Sequence, residues 1–411
     1  MSPSGTTPDT DDAAAIAQLD QDAAARRWSV PELRRFPLPA AGVVIYVGIR
    51  LLGLVVTVFL LRHGKFRQRG VSLTQWITGG DGGYYRTIAA HGYHYPPGQL
   101  AHAGVFSFFP GYPAAIDSLA WLPGVSAALA GFAVTILAGT ATAWGLAVLG
   151  LKLTADARIS LLMVALWAVA PGSIALSRVH AEALFCALAV WTLVALVNQR
   201  WLTAGVLALL AGTVRSTALA LIAAVALAVL TTLIKDAPTR RRIVPWWRPV
   251  AALLLAPLGL LGYWAYVALA THRLDGWFWI EAHVFHMSFD WGSSTMRVIR
   301  HTFLDAPSVA GLLVVLAVLA ALGLTVWSLT ERLPVYLHAY TFVVVLMAFA
   351  ANAHWMSSKP RFLLPAFLLA LPLARLLAPL RTSVLVSLLA MLTAASTWFG
   401  LYLVIIAQQA S

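Results

Sequence analysis

The stretch LTAGVLALLAGTVRSTALALIAAVALAVLTTLI, residues 202–234, decides the class of the protein, because it is apolar for longer than one membrane crossing requires. About 20 apolar residues span a hydrocarbon core of roughly 30 Å. Its single charged residue, Arg215, lies in the segment GTVRST. We therefore expect two helices with a break near Arg215. Broken helices at membrane depth occur where they line a cavity.

Similar apolar runs recur along the chain and predict an all-α polytopic membrane protein with about eleven transmembrane helices. Of its 411 residues, 60% are hydrophobic and 11% are charged, whereas a soluble domain carries roughly 25% charge. No alternation of period two indicates a barrel, and open sheets do not span lipid. The other runs cover approximately 39–61, 126–150, 157–176, 180–198, 248–271, 306–329, 335–353, 362–380 and 382–407.

Residues 1–38 are polar and predict a disordered cytoplasmic tail before a single membrane domain, residues 39–411. The net charge of +12 is scattered at the ends of apolar runs. This distribution indicates orientation in a plasma membrane rather than a nucleic-acid partner. Four arginines in the tail and the basic segment 235–248 both point to the cytoplasm.

This orientation leaves two long connections outside the cell, a first outer loop at 62–125 and a second at 272–305. Within the first loop, the three prolines and Asp117 of residues 106–124 favour short interfacial helices instead of a crossing. If residues 106–124 do not cross the membrane, one extracytoplasmic face contains Asp81, the break at Arg215 and the polar ends of two later spans. Ionisable groups at membrane depth are costly and mark functional sites by default.

Asp81 is the most unusual of these groups, because it lies among four glycines in GGDGGYYRTIAAHGYHY, residues 79–95. One interpretation is an N-cap of a short helix at 83–90 that Gly92 ends. Another is a general base held in a turn that glycine permits. Both can hold at once. Tyr84 and Tyr85 follow directly and are candidate substrate contacts.

Two later motifs supply further polar candidates. HAEALF, residues 180–185, places His180 and Glu182 at the start of a span, either as a helix-dipole partner or as the lining of an acceptor site. Arg215 needs an anion, either Glu182 or a lipid phosphate. SSKPRFLLPAF, residues 357–367, sets Lys359 and Arg361 at a span end, as an interfacial anchor or as a phosphate-binding pair.

The remaining signals are weaker. The aromatic residues of the second outer loop fit a membrane-interface belt or a sugar-stacking surface; they are Trp277, Trp279, Phe285 and Trp291. His91 and His94 could lie on one helix face, but Gly92 separates them and no cluster of carboxylates lies nearby in the sequence. We therefore expect no metal site. The single cysteine, Cys186, allows no disulfide framework.

Taken in order, these motifs resemble a known family. GGDGGYYRTIAAHGYHY followed by FSFFPGYP, residues 106–113, resembles the core of the PIG-V-type mannosyltransferases. HAEALF, VRST and SKPRFLLPAF follow in the order of that family's later motifs, so the resemblance covers roughly residues 40–400. One departure is Gly80, which stands where the family usually has tryptophan; Trp76 lies four residues earlier.

The resemblance implies a GT-C membrane glycosyltransferase that transfers mannose from polyprenyl-phosphate mannose to a glycolipid or glycan acceptor. It implies Asp81 as the essential acid of the first outer loop. We expect an inverting reaction on the extracytoplasmic face, with Arg361 and Lys359 as a phosphate clamp and Arg215 assisting. No cofactor is expected, and metal dependence should be weak because the donor carries one phosphate. The alternative is a transporter or flippase for lipid-linked sugars, which a broken helix at Arg215 would also suit.

Overall fold

The computed structural model of the protein describes residues 37–93, 100–236, 245–305 and 309–406. Leu38–Ser411 forms one compact unit. The expected cytoplasmic tail lies outside the described residues, apart from its last two positions. His94 and most of the basic segment 235–248 also lie outside them.

The first part of the chain is one long helix followed by a series of short ones. The short helices carry their own start signals: Ser72 and Gln75 form a capping box, which satisfies backbone N–H groups at a helix start. The elements are α1 (Pro37–Leu61), α2 (Gly64–Gln68), α3 (Leu73–Thr78), α4 (Asp81–His91), a 3₁₀ helix (Leu100–Ser107) and α5 (Gly111–Ala120).

The middle of the chain is a bundle of apolar helices. Ser126 and Asp156 accept backbone N–H bonds at the starts of α6 and α7, which separates the two helices cleanly. The elements are α6 (Ala127–Thr154), α7 (Ala157–Ala168), a 3₁₀ helix (Ser173–Ser177), α8 (Glu182–Val197), α9 (Trp201–Gly212), a 3₁₀ helix (Ser216–Ala218), α10 (Leu219–Asp236), α11 (Trp247–Leu255) and α12 (Leu258–Thr271).

The last part contains the second outer loop and the C-terminal helices. The elements are α13 (Gly276–His283), α14 (Ser293–Leu304), α15 (Val309–Ser328), α16 (Val335–Ala350), a 3₁₀ helix (Ala353–Ser358), α17 (Lys359–Phe362), a 3₁₀ helix (Phe367–Leu369), α18 (Ala370–Leu377), α19 (Thr382–Leu401) and a π-helical turn (Tyr402–Ile406). Pro360 lies in the first turn of α17, where its missing N–H costs no hydrogen bond.

The described residues contain no β-strand, only an isolated bridge between Phe289 and Ala351. Six of their helices are long and apolar enough to cross a membrane. A seventh crossing results if the bent pair Met356–Phe362 and Phe367–Leu377 counts as one span. Four further apolar helices are shorter, namely α7, α8, α9 and α16. The all-α membrane class is therefore confirmed, but the count of eleven spans is not.

Residues 106–124 do not form a long helix. They contain the end of a 3₁₀ helix and then α5, whose ten residues extend about 15 Å, half of the hydrocarbon thickness. The core lies where α6 packs against α7 and α8, and α8 against α9. Small residues such as Ala143, Gly145 and Ala189 allow these helices to approach closely.

Candidate active site

Asp81 is held at the start of α4 by the backbone around it. Gly80 has φ 63° and ψ −134°, a conformation that essentially only glycine adopts. Gly80 is the N-cap of α4 and Asp81 is its first residue, so the predicted helix begins two residues earlier than expected. Gly92 ends α4 as predicted, with φ 69°. The turn therefore presents the Asp81 side chain from a fixed position.

Arg178 donates hydrogen bonds to the segment just before Asp81. Its Nε donates to the Trp76 carbonyl at 2.8 Å and its Nη2 to the Gly79 carbonyl at 3.1 Å. Burial lowers the pKa of Arg178 to about 10, with Asp81 opposing the shift, so the guanidinium stays charged at neutral pH. Arg178, two residues before the motif HAEALF, was not among the predicted site residues.

The expected break near Arg215 is present. Helix α9 ends at Gly212, and Arg215 has an extended backbone with φ −156° and ψ 150° before the next 3₁₀ turn. The Gly111 N–H donates to the Thr213 carbonyl at 2.7 Å, which ties the start of α5 to the break. The extended residue turns the Arg215 side chain out of the helix path and towards the first residue of α8, Glu182.

Four charged side chains from four segments form one network. Arg361 Nη1 lies 2.7 Å from Asp81 Oδ2, and Arg215 Nη1 lies 2.7 Å from Glu182 Oε1. Arg361 Nε lies 3.7 Å from the same Glu182 oxygen and joins the two pairs. Both guanidinium groups also lie over the Phe362 ring, at 5.6 Å for Arg215 and 5.3 Å for Arg361. The network is electrically neutral, which permits its burial.

Lys359 does not belong to this charged network, because its ammonium group binds backbone carbonyls. Its ammonium group donates to the carbonyls of Ala348, Phe349 and Ala351 at 2.7, 3.3 and 2.6 Å, and the residue is 1% exposed. These carbonyls belong to the C-terminal end of α16 and the residue after it, where a cation complements the helix dipole. The structure therefore separates Lys359 from Arg361, its expected partner in a phosphate clamp.

His180 is also engaged away from the network. It is 1% exposed, and its Nδ1 contacts the Val179 carbonyl at 2.8 Å. Burial, reinforced by Arg178, lowers the pKa of His180 to about 4, so the imidazole is neutral at neutral pH. A neutral buried histidine is a packing element rather than a phosphate-binding cation.

A cavity of 1010 Å³ lies beside the charged network. Asp81, Arg215 and Arg361 line it, as do Tyr84 and Tyr85 of α4. Most of the remaining lining is apolar or aromatic, including Phe108, Phe109, Leu219, Trp264, Trp277, Phe278, Phe285, Phe289, Val343, Val344 and Met347. A small group of charges on an apolar wall is typical of a binding site for an amphipathic ligand.

The two tyrosines have different exposures to this cavity. Tyr85 is 4% exposed and packs edge-on against Phe108 and Tyr112. Burial raises the pKa of Tyr85 well above its ordinary value, so its hydroxyl keeps its proton. Tyr84 is partly buried and stacks on Phe108 at 4.5 Å. Both predicted residues therefore belong to the cavity wall.

The aromatic residues of the second outer loop divide in two. Trp277 and Phe285 line the cavity. Trp279 instead stacks on His283 at 4.4 Å, and Trp291 is 76% exposed. Glu281, which the sequence interpretation did not single out, lines the same cavity as Asp81.

Within the described part of the chain, no group of three or more His, Cys, Asp or Glu side chains is arranged to hold a metal ion. Cys186 is fully buried in the core of α8.

The comparisons with known proteins identify the fold. No family model and no curated protein matches the sequence. Among solved structures, ArnT from Cupriavidus metallidurans bound to undecaprenyl phosphate aligns with a TM-score of 0.52. The alignment covers 86% of this chain and 76% of that chain. The chain therefore has a fold similar to that of ArnT. The two sequences are 12% identical, so the likeness establishes an ArnT-like membrane fold and nothing finer.

Proposed function

We propose that the protein is a lipid-linked sugar transferase that moves a sugar from a polyprenyl-phosphate donor to a glycan or glycolipid acceptor on the extracytoplasmic face. The observation that carries this proposal is the Asp81–Arg361 pair, a carboxylate and a guanidinium 2.7 Å apart in the lining of a largely apolar cavity. The fold neighbour was solved with undecaprenyl phosphate, which supports a lipid phosphate as donor. Mannose is the proposed sugar because of the PIG-V-type resemblance.

Asp81 is the proposed general base. The acceptor hydroxyl attacks the anomeric carbon, its proton passes to the Asp81 carboxylate, and the carbon–oxygen bond to the phosphate breaks. The electron pair of that bond leaves with the phosphate. A single displacement inverts the anomeric centre, so a β-linked donor gives an α-linked product.

Arg361 and Arg215 are the proposed phosphate ligands. The donor phosphodiester carries one negative charge, and the departing polyprenyl phosphate gains a second, so nearby cations stabilise the transition state more than the ground state. Arg361 Nε lies 3.7 Å from Glu182 Oε1 without forming a hydrogen bond to any described residue, so the guanidinium retains a donor for a phosphate oxygen. A phosphate there competes with Asp81 for Arg361 and so frees the carboxylate to act as a base.

Glu182 and Lys359 have proposed supporting roles. Glu182 is 1% exposed and contacts both arginines, so it fixes the distance between them. Lys359 holds the end of α16 and thereby the start of α17, two residues before Arg361. In this proposal Lys359 positions the phosphate site without contacting the substrate.

The apolar wall suits the lipid part of the donor. Leu219 of α10 and Val343, Val344 and Met347 of α16 line the cavity on two neighbouring membrane helices. A polyprenyl chain can lie between these helices while its phosphate reaches Arg361. Such an arrangement excludes water from the reacting atoms, which protects the donor from hydrolysis.

The test is a transfer assay with a matched transport assay. Vesicles containing the protein receive polyprenyl-phosphate [¹⁴C]mannose and a membrane fraction of acceptor glycolipids, with and without a chelator. We expect labelled product from protein-containing vesicles and little effect of the chelator. Movement of the donor across the vesicle membrane without any labelled product would overturn the proposal and support the transporter alternative.

A further inference from the structure

One face of helix α13 is directed to the cavity. Trp277 and Glu281 are four residues apart, a spacing that places side chains on the same side of a helix, and both line the cavity. Trp279 and His283, also four residues apart, stack on each other and are absent from the cavity lining. The short helix therefore presents a carboxylate and an indole together to the site.

Glu281 differs from the other acidic residues of the site. Asp81 and Glu182 each have an arginine at 2.7 Å, whereas none of the described cations lies within ion-pair distance of Glu281. A partly buried carboxylate without a cation is costly. The Ser107 hydroxyl and the charge of Arg215 offset only part of that cost, and a ligand that donates a hydrogen bond to the carboxylate would offset more of it.

Two tryptophans that line the cavity have indole N–H groups buried beneath its surface. The indole N–H groups of Trp264 and Trp277 are buried and have no acceptor among the described residues. The two rings lie 5.8 Å apart and both line the cavity. Buried donors without a partner cost about 1–3 kcal/mol each, so they are rare unless a ligand or water fills them.

A neutral sugar ring matches this combination. Its hydroxyls can donate to the Glu281 carboxylate, and its C–H faces pack against aromatic rings such as those of Trp264 and Trp277. A phosphate does not match, because it would face Glu281 with like charge. The cavity therefore has two chemically different parts. Arg215 and Arg361 can bind the donor phosphate, and helix α13 can bind a neutral polyol.

We propose that Glu281, Trp277 and Trp264 bind the sugar ring of the acceptor, with the Glu281 carboxylate accepting a hydrogen bond from an acceptor hydroxyl. This proposal rests on the proposed transferase function and defines the acceptor as a neutral glycan. It places the acceptor ring in the same cavity as Asp81, whose charge adds to the rise in the pKa of Glu281.

The surroundings of Glu281 predict a pH response of this binding. Burial raises the pKa of Glu281 to about 7, with Asp81 adding to the shift and the Ser107 hydroxyl and Arg215 opposing it. Tyr263 of α12 is a further titratable group that interacts electrostatically with Glu281. The carboxylate form, the stronger hydrogen-bond acceptor, therefore predominates only above about pH 7.

The test measures binding of methyl α-D-mannopyranoside, methyl α-D-glucopyranoside and methyl α-D-galactopyranoside to the full-length protein in lipid nanodiscs by saturation-transfer NMR. We expect at least one glycoside to bind, more tightly above pH 7 than below it. Glu281→Gln should bind it about tenfold more weakly and without the pH response. Asp275→Asn, on the same loop with a side chain 61% exposed, is the matched control.

Equal binding by the wild type and Glu281→Gln, equal loss in Asp275→Asn, or no glycoside binding would overturn the inference. Trp277→Phe should also weaken binding, whereas Trp291→Phe, at an exposed ring, should not. The assay requires no sugar transfer. Binding that depends on Glu281 without transfer would therefore contradict only the transferase function, and transfer that Glu281→Gln leaves unchanged would contradict only this inference.

Discussion

The Arg361 guanidinium lies 2.7 Å from the Asp81 carboxylate, although 280 residues separate them in the chain. Glu182 holds Arg361 from the other side at 3.7 Å. The planar guanidinium can serve both carboxylates at once because its N–H groups point in several fixed directions. This geometry makes Arg361 the residue whose replacement tests the phosphate site.

Arg361→Lys should lower the rate of sugar transfer about a hundredfold, because a lysine keeps the charge but cannot direct separate N–H groups to Asp81, Glu182 and a phosphate. The measurement is kcat with saturating donor and acceptor. Arg375→Lys is the control, since Arg375 pairs with Glu331 at 2.8 Å and is 46% exposed. Similar rates for Arg361→Lys and the wild type would exclude Arg361 from the phosphate site.

Glu182→Gln should destabilise the protein, because it removes the anion that neutralises two buried guanidinium groups. Loss of one partner from a buried pair costs about 3 kcal/mol or more in free energy of unfolding. Thermal unfolding in detergent should show a clearly lower melting temperature for Glu182→Gln than for Glu331→Gln, whose partner Arg375 is 46% exposed. Equal melting temperatures for the two variants would contradict the structural role of Glu182.

The melting temperature should depend on pH through Glu281. Its folded-state pKa of about 7 lies above the ordinary value of 4.5, so the folded protein binds this proton more tightly than the unfolded chain. The contribution to stability is full below the ordinary pKa and is lost as the pH rises through 7. Between about pH 5 and pH 8, Glu281→Gln should therefore lose less stability than the wild type. Parallel pH profiles would contradict the burial of Glu281.

Gly172→Ala should impair transfer by displacing Arg361. A Cβ at Gly172 would lie 2.4 Å from the Pro360 carbonyl oxygen and 2.5 Å from the Arg361 nitrogen, so the backbone of α17 must move. Gly262→Ala is the control, because no atom lies within 4 Å of its added Cβ. Wild-type activity in Gly172→Ala would show that the position of Arg361 does not limit the reaction.

The proposed orientation predicts which loops an impermeant thiol reagent reaches. Cys186 is fully buried and should not react with the reagent, so any labelling comes from the single cysteine that is added. Leu274→Cys, in the second outer loop at a fully exposed position, should react in intact cells. Thr330→Cys, exposed in the loop after α15, should react only after lysis. The reverse pattern would invert the membrane topology.

Much of the fold follows from the sequence because a bilayer restricts the choices. Apolar runs can only be helices, and the charge and polar residues around Arg215 predict the break that the structure contains. The number of spans could not be predicted as reliably. The runs at 157–176 and 335–353 shorten to α7 and α16, and the run at 362–380 becomes a bent pair.

The charged residues of the site could be predicted from the sequence because acidic residues are scarce in this chain. Only ten acidic residues follow the tail, so Asp81, Glu182 and their arginine partners stand out from the sequence. Lys359 and His180 could not be assigned, because the sequence does not reveal that backbone carbonyls already bind them. Glu281 is one of those ten acids, but its place in the same cavity as Asp81 depends on how α13 packs against the 3₁₀ helix Leu100–Ser107.

The most direct measurement of the central claim is the kcat of sugar transfer by Asp81→Asn. Asparagine keeps the size of the side chain but cannot accept the acceptor proton, so kcat should fall about a thousandfold. Binding of the polyprenyl-phosphate donor should persist. Asp117→Asn, an exposed acid of the same loop, should retain wild-type kcat. Transfer by Asp81→Asn at the wild-type rate would contradict the role of Asp81 as the general base.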